Sequence, residues 1–180
     1  MDILLFPHGI QIEIFTKIDG KDIGKVFMVS KSWKEIIKRV IQASVFKMDI
    51  TNTQITDAGL AYLAGVHTID LYDCNQITDA GLAYLKGVHT INLDRCIKIT
   101  DAGLVHLSGV HTINLLGFNQ ITDAGLIHLK GVHTIDLYDC NQITDAGLSY
   151  LKGVHTIELA RCNQITDTGL THLKGAKIYK

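Results

Sequence analysis

The chain has 180 residues, 47% of them apolar and 19% charged, with a formal net charge of −1. That balance excludes a disordered chain and carries no nucleic-acid or membrane signature, and no apolar run approaches the roughly 18 residues of a membrane span. No signal peptide is expected, because Asp2 stands where a basic segment belongs and Glu13 interrupts the next apolar stretch.

Residues 1–44 have no internal repeat and predict helices. Ile10, Ile14 and Ile18 share one helical face, with Phe15 beside them. Ile23, Val26 and Phe27 come next, then Trp33, Ile36, Ile37 and Val40. Turn signals fall at Asp19-Gly20-Lys21-Asp22 and Ser30-Lys31-Ser32. The stretch FPHGIQIEIFTKIDGKDIGKVFMVSKSWKEII resembles an F-box. Pro7, Ile10, Ile14-Phe15, Ile18, Asp22-Ile23, Val29-Ser30-Lys31 and Trp33 occupy that family's motif positions, while Phe6 and Gly9 replace its usual Leu and Glu. The resemblance implies a three-helix module that docks a Skp-type adaptor, and through it a cullin ubiquitin ligase. Pro7, Ile10, Ile14, Phe15, Ile18, Val29 and Trp33 are the implied contacts. The competing expectation is that these helices only cap the remainder of the chain, as the end of any repeat stack requires.

From residue 45 the chain repeats itself. GVHTIDLYDCNQITDAGL occurs identically at 65–82 and 131–148, and blocks of 22 residues open at Ile55, Ile77, Ile99, Ile121, Ile143 and Ile165. A degenerate strand, VFKMDITNTQ (45–54), precedes the first block. A fixed period of this size marks a solenoid. In the second block, ITDAGLAYLKG predicts a helix of about two turns. Thr78 is its N-cap, Asp79 lies at the positive end of the helix dipole, Leu82 and Leu85 share a face, and Gly87 is the stop. So short a helix is held by packing, not by itself. VHTINLDRC (88–96) then alternates, Ile91 and Leu93 facing one way and Thr90, Asn92 and Asp94 the other. The predicted inward set is Leu82, Leu85, Val88, Ile91, Leu93, Cys96 and Ile99.

These residues, as V88-x-x-I91-x-L93-x-x-C96-x-x-I99-T100-D101, resemble the leucine-rich repeat in its cysteine-containing form, shortened on the helical side. The implied fold is an α/β leucine-rich-repeat solenoid over 45–180: a parallel strand stack on the concave face, short helices on the convex face, and the N-terminal three-helix F-box-like module at 1–44. An F-box followed by such repeats resembles the substrate receptors of ubiquitin ligases. That implies a non-catalytic subunit that grips a target protein on its concave face.

Four columns line the expected strand face. One is threonine: Thr68, Thr90, Thr112, Thr134 and Thr156, explained by strand propensity. The next is Asp70, Asn92, Asn114, Asp136 and Glu158. Two more read Tyr72, Asp94, Leu116, Tyr138, Ala160 and Asp73, Arg95, Gly117, Asp139, Arg161. Stacked like charges are costly, so their acids point to a target with a Lys/Arg-rich segment. Tyr72, Leu116 and Tyr138 are the candidate anchors. Block three has Phe118 where its neighbours have Cys, with Gly117 read as backbone slack for the larger ring.

Cys74, Cys96, Cys140 and Cys162 recur on parallel vectors, poor geometry for disulfides, and are expected as buried reduced thiols. With no signal peptide this predicts a cytoplasmic or nuclear protein, or one of the host cytoplasm if an intracellular parasite or virus encodes it. His67, His89, His111, His133 and His155 form a column, which offers too few converging ligands for a metal. Protonating that row predicts lost stability between about pH 7 and pH 5. No nucleotide-binding, metalloprotease or redox motif occurs, and no cofactor is expected. At the C-terminus, Ala176-Lys177-Ile178-Tyr179 is expected to fill the Val-His-Thr-Ile slots of a last strand, whose open edge could self-associate.

Overall fold

The structure is a computed structural model that describes residues 47–180. The proposed adaptor contacts Pro7, Ile10, Ile14, Phe15, Ile18, Val29 and Trp33, and the three-helix module itself, lie outside the described residues. Seven three-residue strands form one parallel sheet in sequence order: β1 (Lys47–Asp49), β2 (Thr68–Asp70), β3 (Thr90–Asn92), β4 (Thr112–Asn114), β5 (Thr134–Asp136), β6 (Thr156–Glu158) and β7 (Lys177–Tyr179). From β2 to β6 each residue pairs with the one 22 positions on, Ile69 with Ile91 and so along the stack. Each rung therefore packs against its sequence neighbours, as a solenoid requires.

Between strands lies a helix of about the two turns the sequence predicts, but of mixed kind. α1 (Asp57–Leu60), α2 (Asp79–Leu82), α3 (Asp101–Leu104), α4 (Asp123–Leu126), α5 (Asp145–Leu148) and α6 (Asp167–Leu170) are single α-turns. Each tightens into a three-residue 3₁₀ turn such as Ala83–Leu85. The tightening has a packing reason: residues three apart eclipse in a 3₁₀ helix, so Leu82 and Leu85 both reach the core. Both are buried, as are Val88, Ile91, Leu93, Cys96 and Ile99, the whole predicted inward set. Their equivalents run as continuous apolar columns through the stack.

The strands are shorter than predicted. The chain leaves β3 after Asn92 and turns at Asp94–Arg95, where Arg95 adopts a left-handed φ of 61°. Asp73, Asp139 and Arg161 do the same at φ 59°, 60° and 61°. Gly117, at φ 70°, occupies this slot in the fourth strand's rung. Its role is thus to meet a turn that every rung makes, rather than to give slack for Phe118, which sits in the core at 2% exposure.

The last strand is shifted by one residue from the expected register. Lys177 pairs with Thr156, Ile178 with Ile157 and Tyr179 with Glu158. The final rung lacks one residue between Gly175 and its strand, and the shift keeps Ile178 in the isoleucine column. The unshifted register would have turned that column outward. The outer edge of β7 has no strand partner among the described residues and carries Lys177, a charge that opposes edge-to-edge pairing.

Candidate functional site

The concave sheet face is a shallow trough of about 450 Å³, lined by the threonine column Thr68–Thr156, by Asp70, Asn92, Asn114, Asp136 and Glu158, and at one end by Tyr179. The remaining predicted residues, Tyr72, Asp73, Asp94, Arg95, Leu116, Tyr138, Asp139 and Arg161, are placed on the turns after the strands. They form a rim beside the trough rather than its floor.

The acid and amide column has a structural task that is not visible in the sequence. Each member accepts the backbone N–H two residues on. Asp70 Oδ1 takes Tyr72 N–H at 3.2 Å, Asn92 Oδ1 takes Asp94 N–H at 3.0 Å and Asn114 Oδ1 takes Leu116 N–H at 2.9 Å. Asp136 Oδ1 takes Tyr138 N–H at 2.9 Å, and Glu158 Oε1 takes Ala160 N–H at 2.7 Å. Short acceptors of this kind hold turns. Asn92 Nδ2 also donates to Asp70 Oδ1 at 2.9 Å, linking two rungs. The turns need an acceptor, and Asn supplies one as well as Asp. The turns at 136 and 158 therefore do not require the negative charge that Asp136 and Glu158 bring. Burial pushes the Asp136 carboxyl up; the Tyr138 N–H opposes this and the neighbouring Glu158 adds to it.

On the rim, the guanidinium of Arg95 lies 5.4 Å from the Tyr72 ring centre, and that of Arg161 lies 5.4 Å from Tyr138. The two predicted tyrosine anchors each share a face with an arginine of the next rung. Asp94 is pushed above the usual carboxylate range, chiefly by burial, with Arg95 opposing and Asp136 and Asp73 adding to the rise. Its Oδ1 is buried with no hydrogen-bond partner.

Flanking the threonines, the five-histidine column forms a stack with ring centres 4.4–4.6 Å apart and planes within 14°. From His67 to His133, Nδ1 lies 3.2 Å from the hydroxyl of the adjoining threonine. The threonine column thus orients the imidazoles, besides favouring strand. Among the described residues, no group of three or more His, Cys, Asp or Glu is placed to hold a metal. No helix there is long and apolar enough to cross a membrane. The four cysteines are buried free thiols. All four bond to the preceding rung: Cys74 Sγ–H donates to Ile50 O at 3.2 Å, Cys96 to Leu71 O at 3.1 Å, Cys140 to Leu115 O at 3.1 Å and Cys162 to Leu137 O at 2.9 Å.

The rungs are joined by a second ladder, on the convex side. The sequence marks Asp79 as a helix-dipole partner. Its carboxylate instead accepts Thr100 N–H at 2.8 Å and the Thr100 hydroxyl at 2.7 Å, in the next rung. Asp57–Thr78, Asp101–Thr122, Asp123–Thr144 and Asp145–Thr166 repeat the pair. The threonine oxygen then accepts the N–H of the residue two on, Ala102 in this rung, capping the helix. Thr56, at the head of the column, makes no such cap bond. The aspartate comes so close to the next rung's helix that a Cβ on Gly103 would collide with Asp79 Oδ1. This is why Thr-Asp-Ala-Gly recurs: cap, tie and clearance each need their residue.

A seven-strand parallel stack with one trimmed helix per 22 residues defines a class of protein, the leucine-rich-repeat solenoids. Residues 132–152 match the family model described as Leucine Rich repeat. No curated protein shows a significant match to the sequence. Among solved structures, a chain of the yeast Rad7–Elc1 complex superposes with a TM-score of 0.59 at 17% identity, over 69% of this chain and 37% of that one. A chain of the Drosophila Toll–Spatzle complex gives 0.55 at 16% identity, over 69% of this chain and 18% of that one. Internalin C2 of Listeria monocytogenes gives 0.55 at 20% identity, over 94% and 95%. This chain thus spans well under two thirds of the first two. At these identities what is shared is the fold.

Proposed function

We propose that this protein is a non-catalytic, target-binding subunit whose concave trough holds a protein segment rich in Lys and Arg. The observation that carries the reading is the surplus charge of the trough. Asn92 and Asn114 cap their turns without charge, whereas Asp136 and Glu158, on neighbouring strands, cap theirs and keep two half-buried carboxylates side by side. Like charges on neighbouring strands are unfavourable until a cation meets them. The Tyr72–Arg95 and Tyr138–Arg161 pairs on the rim supply flat, ordered surface beside the acids.

We further propose that residues 1–44 dock a Skp-type adaptor, making the protein the substrate receptor of a cullin ubiquitin ligase in the cytoplasm or nucleus. The spacing of Pro7, Ile10, Ile14, Phe15, Ile18, Val29 and Trp33 supports this. So does fold similarity to a chain of the Rad7–Elc1 complex, in which one protein binds another. The competing reading is a free-standing scaffold whose first residues only cap the stack.

Two experiments separate these claims. In a pull-down with a Skp-type adaptor, the receptor reading requires capture of the wild type and loss in a folded Trp33→Ala variant; no capture of the wild type rejects the ligase role. For the trough, Asp70→Asn, Asp136→Asn and Glu158→Gln together keep the turn acceptors and remove the charge. A labelled Lys/Arg-rich peptide should bind the triple variant about tenfold or more weakly than wild type, at an unchanged melting temperature. Equal binding to both proteins rejects the trough reading.

A further inference from the structure

Charge is segregated around the cross-section of the solenoid. In each rung, the arc from the second residue of the α-turn to the centre of the next strand contains no acid: 58–69, 80–91, 102–113, 124–135, 146–157 and 168–178. Every histidine of the described residues lies in these arcs, as do Lys86, Lys130, Lys152, Lys174 and Lys177. The aspartates that tie rungs and cap turns all occupy the complementary arc.

The acid-free arc also carries the exposed apolar side chains of the convex face. Tyr84, Val105 and Ile127 are 45%, 46% and 40% exposed, on three successive rungs. The 3₁₀ turns Val105–Leu107 and Ile127–Leu129 explain the placement. Their leucines face the core, and their first residues are left to stand outward. Residues three apart eclipse in such a turn, so Ile127 shares its face with Lys130 and Val105 with Ser108. Each 3₁₀ turn ends in a tight reversal, such as Lys86 at φ −53°, ψ 127° followed by Gly87 at φ 86°, which sets the lysine out from the body. Lys130 Nζ lies 5.4 Å from the Tyr150 ring centre on the next rung. The result is an apolar pair in one column, Val105 and Ile127, with Tyr84 on the preceding rung one place further along its turn, in the column of His106 and His128. Lys86 borders this patch at one end and Lys130, Lys152 and Lys174 continue from the other, with no carboxylate in the arc to neutralise them.

We propose that this convex face is a second docking surface, separate from the trough, and that its occupant is a protein segment bearing both carboxylates and apolar side chains. The two halves of the patch select that chemistry together. Unneutralised lysines in a row repel one another in the free protein and are relieved by an anionic partner. Contiguous exposed apolar groups mark an interaction site, and a phosphate polymer has no apolar side chain to cover them. An acidic segment with interleaved leucines satisfies both.

The test uses the full chain and three fluorescent probes of about twelve units each: a peptide of alternating Glu and Leu, polyglutamate, and a single-stranded oligonucleotide. Anisotropy should show the Glu-Leu peptide binding about tenfold or more tightly than either other probe. Lys86, Lys130, Lys152 and Lys174 changed together to Gln should cost that peptide about tenfold, as should Val105→Ser with Ile127→Ser. All six positions are exposed, and unchanged circular dichroism confirms folding. The triple neutralisation of the trough should leave Glu-Leu binding intact, so failure of one surface does not touch the other. No binding of the Glu-Leu peptide, equal or tighter binding of polyglutamate or the oligonucleotide, or full affinity in the variants overturns the proposal.

Discussion

The convex ladder gives the protein an internal control. Asp101 and Asp167 hold the same place in identical I-T-D contexts, yet among the described residues Asp101 ties a following rung and Asp167 ties none. Its two carboxylate oxygens accept Thr122 N–H at 2.8 Å and the Thr122 hydroxyl at 2.6 Å. Replacing Asp101 by Ala removes both bonds and strands a backbone donor. Hydrogen bonds to a charged group contribute about 1.5–3 kcal/mol each when well buried. This pair is part-buried, so a discounted total of about 2–3 kcal/mol is expected. Asp167→Ala loses only the favourable position at a helix N-terminus, about 0.3–1 kcal/mol. Urea unfolding followed by circular dichroism measures both. Hydrogen exchange at the Thr122 amide should accelerate in the first variant only. A further limb tests the clearance argument. Gly125→Ala drives a Cβ against Asp101 Oδ1, so it should cost markedly less in the Asp101→Ala background than in wild type. Equal losses at 101 and 167, or additive losses at 101 and 125, would refute the reasoning.

Three other features each carry a prediction. Asn75 Oδ1 is buried without a partner, whereas the equivalent Asn141 Oδ1 accepts from Asn163 Nδ2 at 2.9 Å. The residue facing Asn75 is Ile97, which is 67% exposed, so Ile97→Asn should raise stability by about 0.5–1.5 kcal/mol, and a lower melting temperature would contradict it. Desolvation first, and the flanking imidazoles second, hold His89 and His133 below the ordinary histidine range. The unfolded chain then binds the more protons, so their contribution is complete above about pH 6.5 and is lost as pH falls through the folded values. Melting temperature should drop between about pH 7 and 5, and less so with His89, His111 and His133 changed to Gln; a flat profile in wild type contradicts the stack's role. Burial pushes the thiols of Cys96 and Cys140 up to about 12, so a thiol reagent should react with them only after unfolding, and rapid reaction of the native protein would contradict this.

The rungs are readable because their cause is periodic. Leu82, Leu85, Val88, Ile91, Leu93, Cys96 and Ile99 are all recognisable as core from spacing, and the 22-residue offset alone fixes the strand pairing. What escapes is contact between rungs. Asp79 looks complete as a helix-dipole residue, and its true partner, Thr100, is 21 positions away. The available signal is Gly81, a poor helix former kept in the middle of a helical turn, which marks something pressing close. The turn at Asp94–Arg95 is hidden for a different reason: Asp, Arg and Gly share one left-handed slot, and only Gly117 advertises it. The acid column reads wholly as a recognition surface because capping and charge look alike in a one-letter code. The structure separates them through Asn92 and Asn114, which cap without charge. The register of β7 depends on one missing residue, which shifts the pairing by one place and leaves the overall pattern in view.

Because the aspartate of one full rung fits the threonine and glycine of any other, each joint between the full rungs is the same joint. A segment of 22 residues cut out or copied in leaves both new neighbours with a matching lock, the same apolar columns and the same strand offset. Length here behaves as a quantity that duplication can adjust in whole steps, and the span and curvature of the face offered to partners would change with it while the fold stays put.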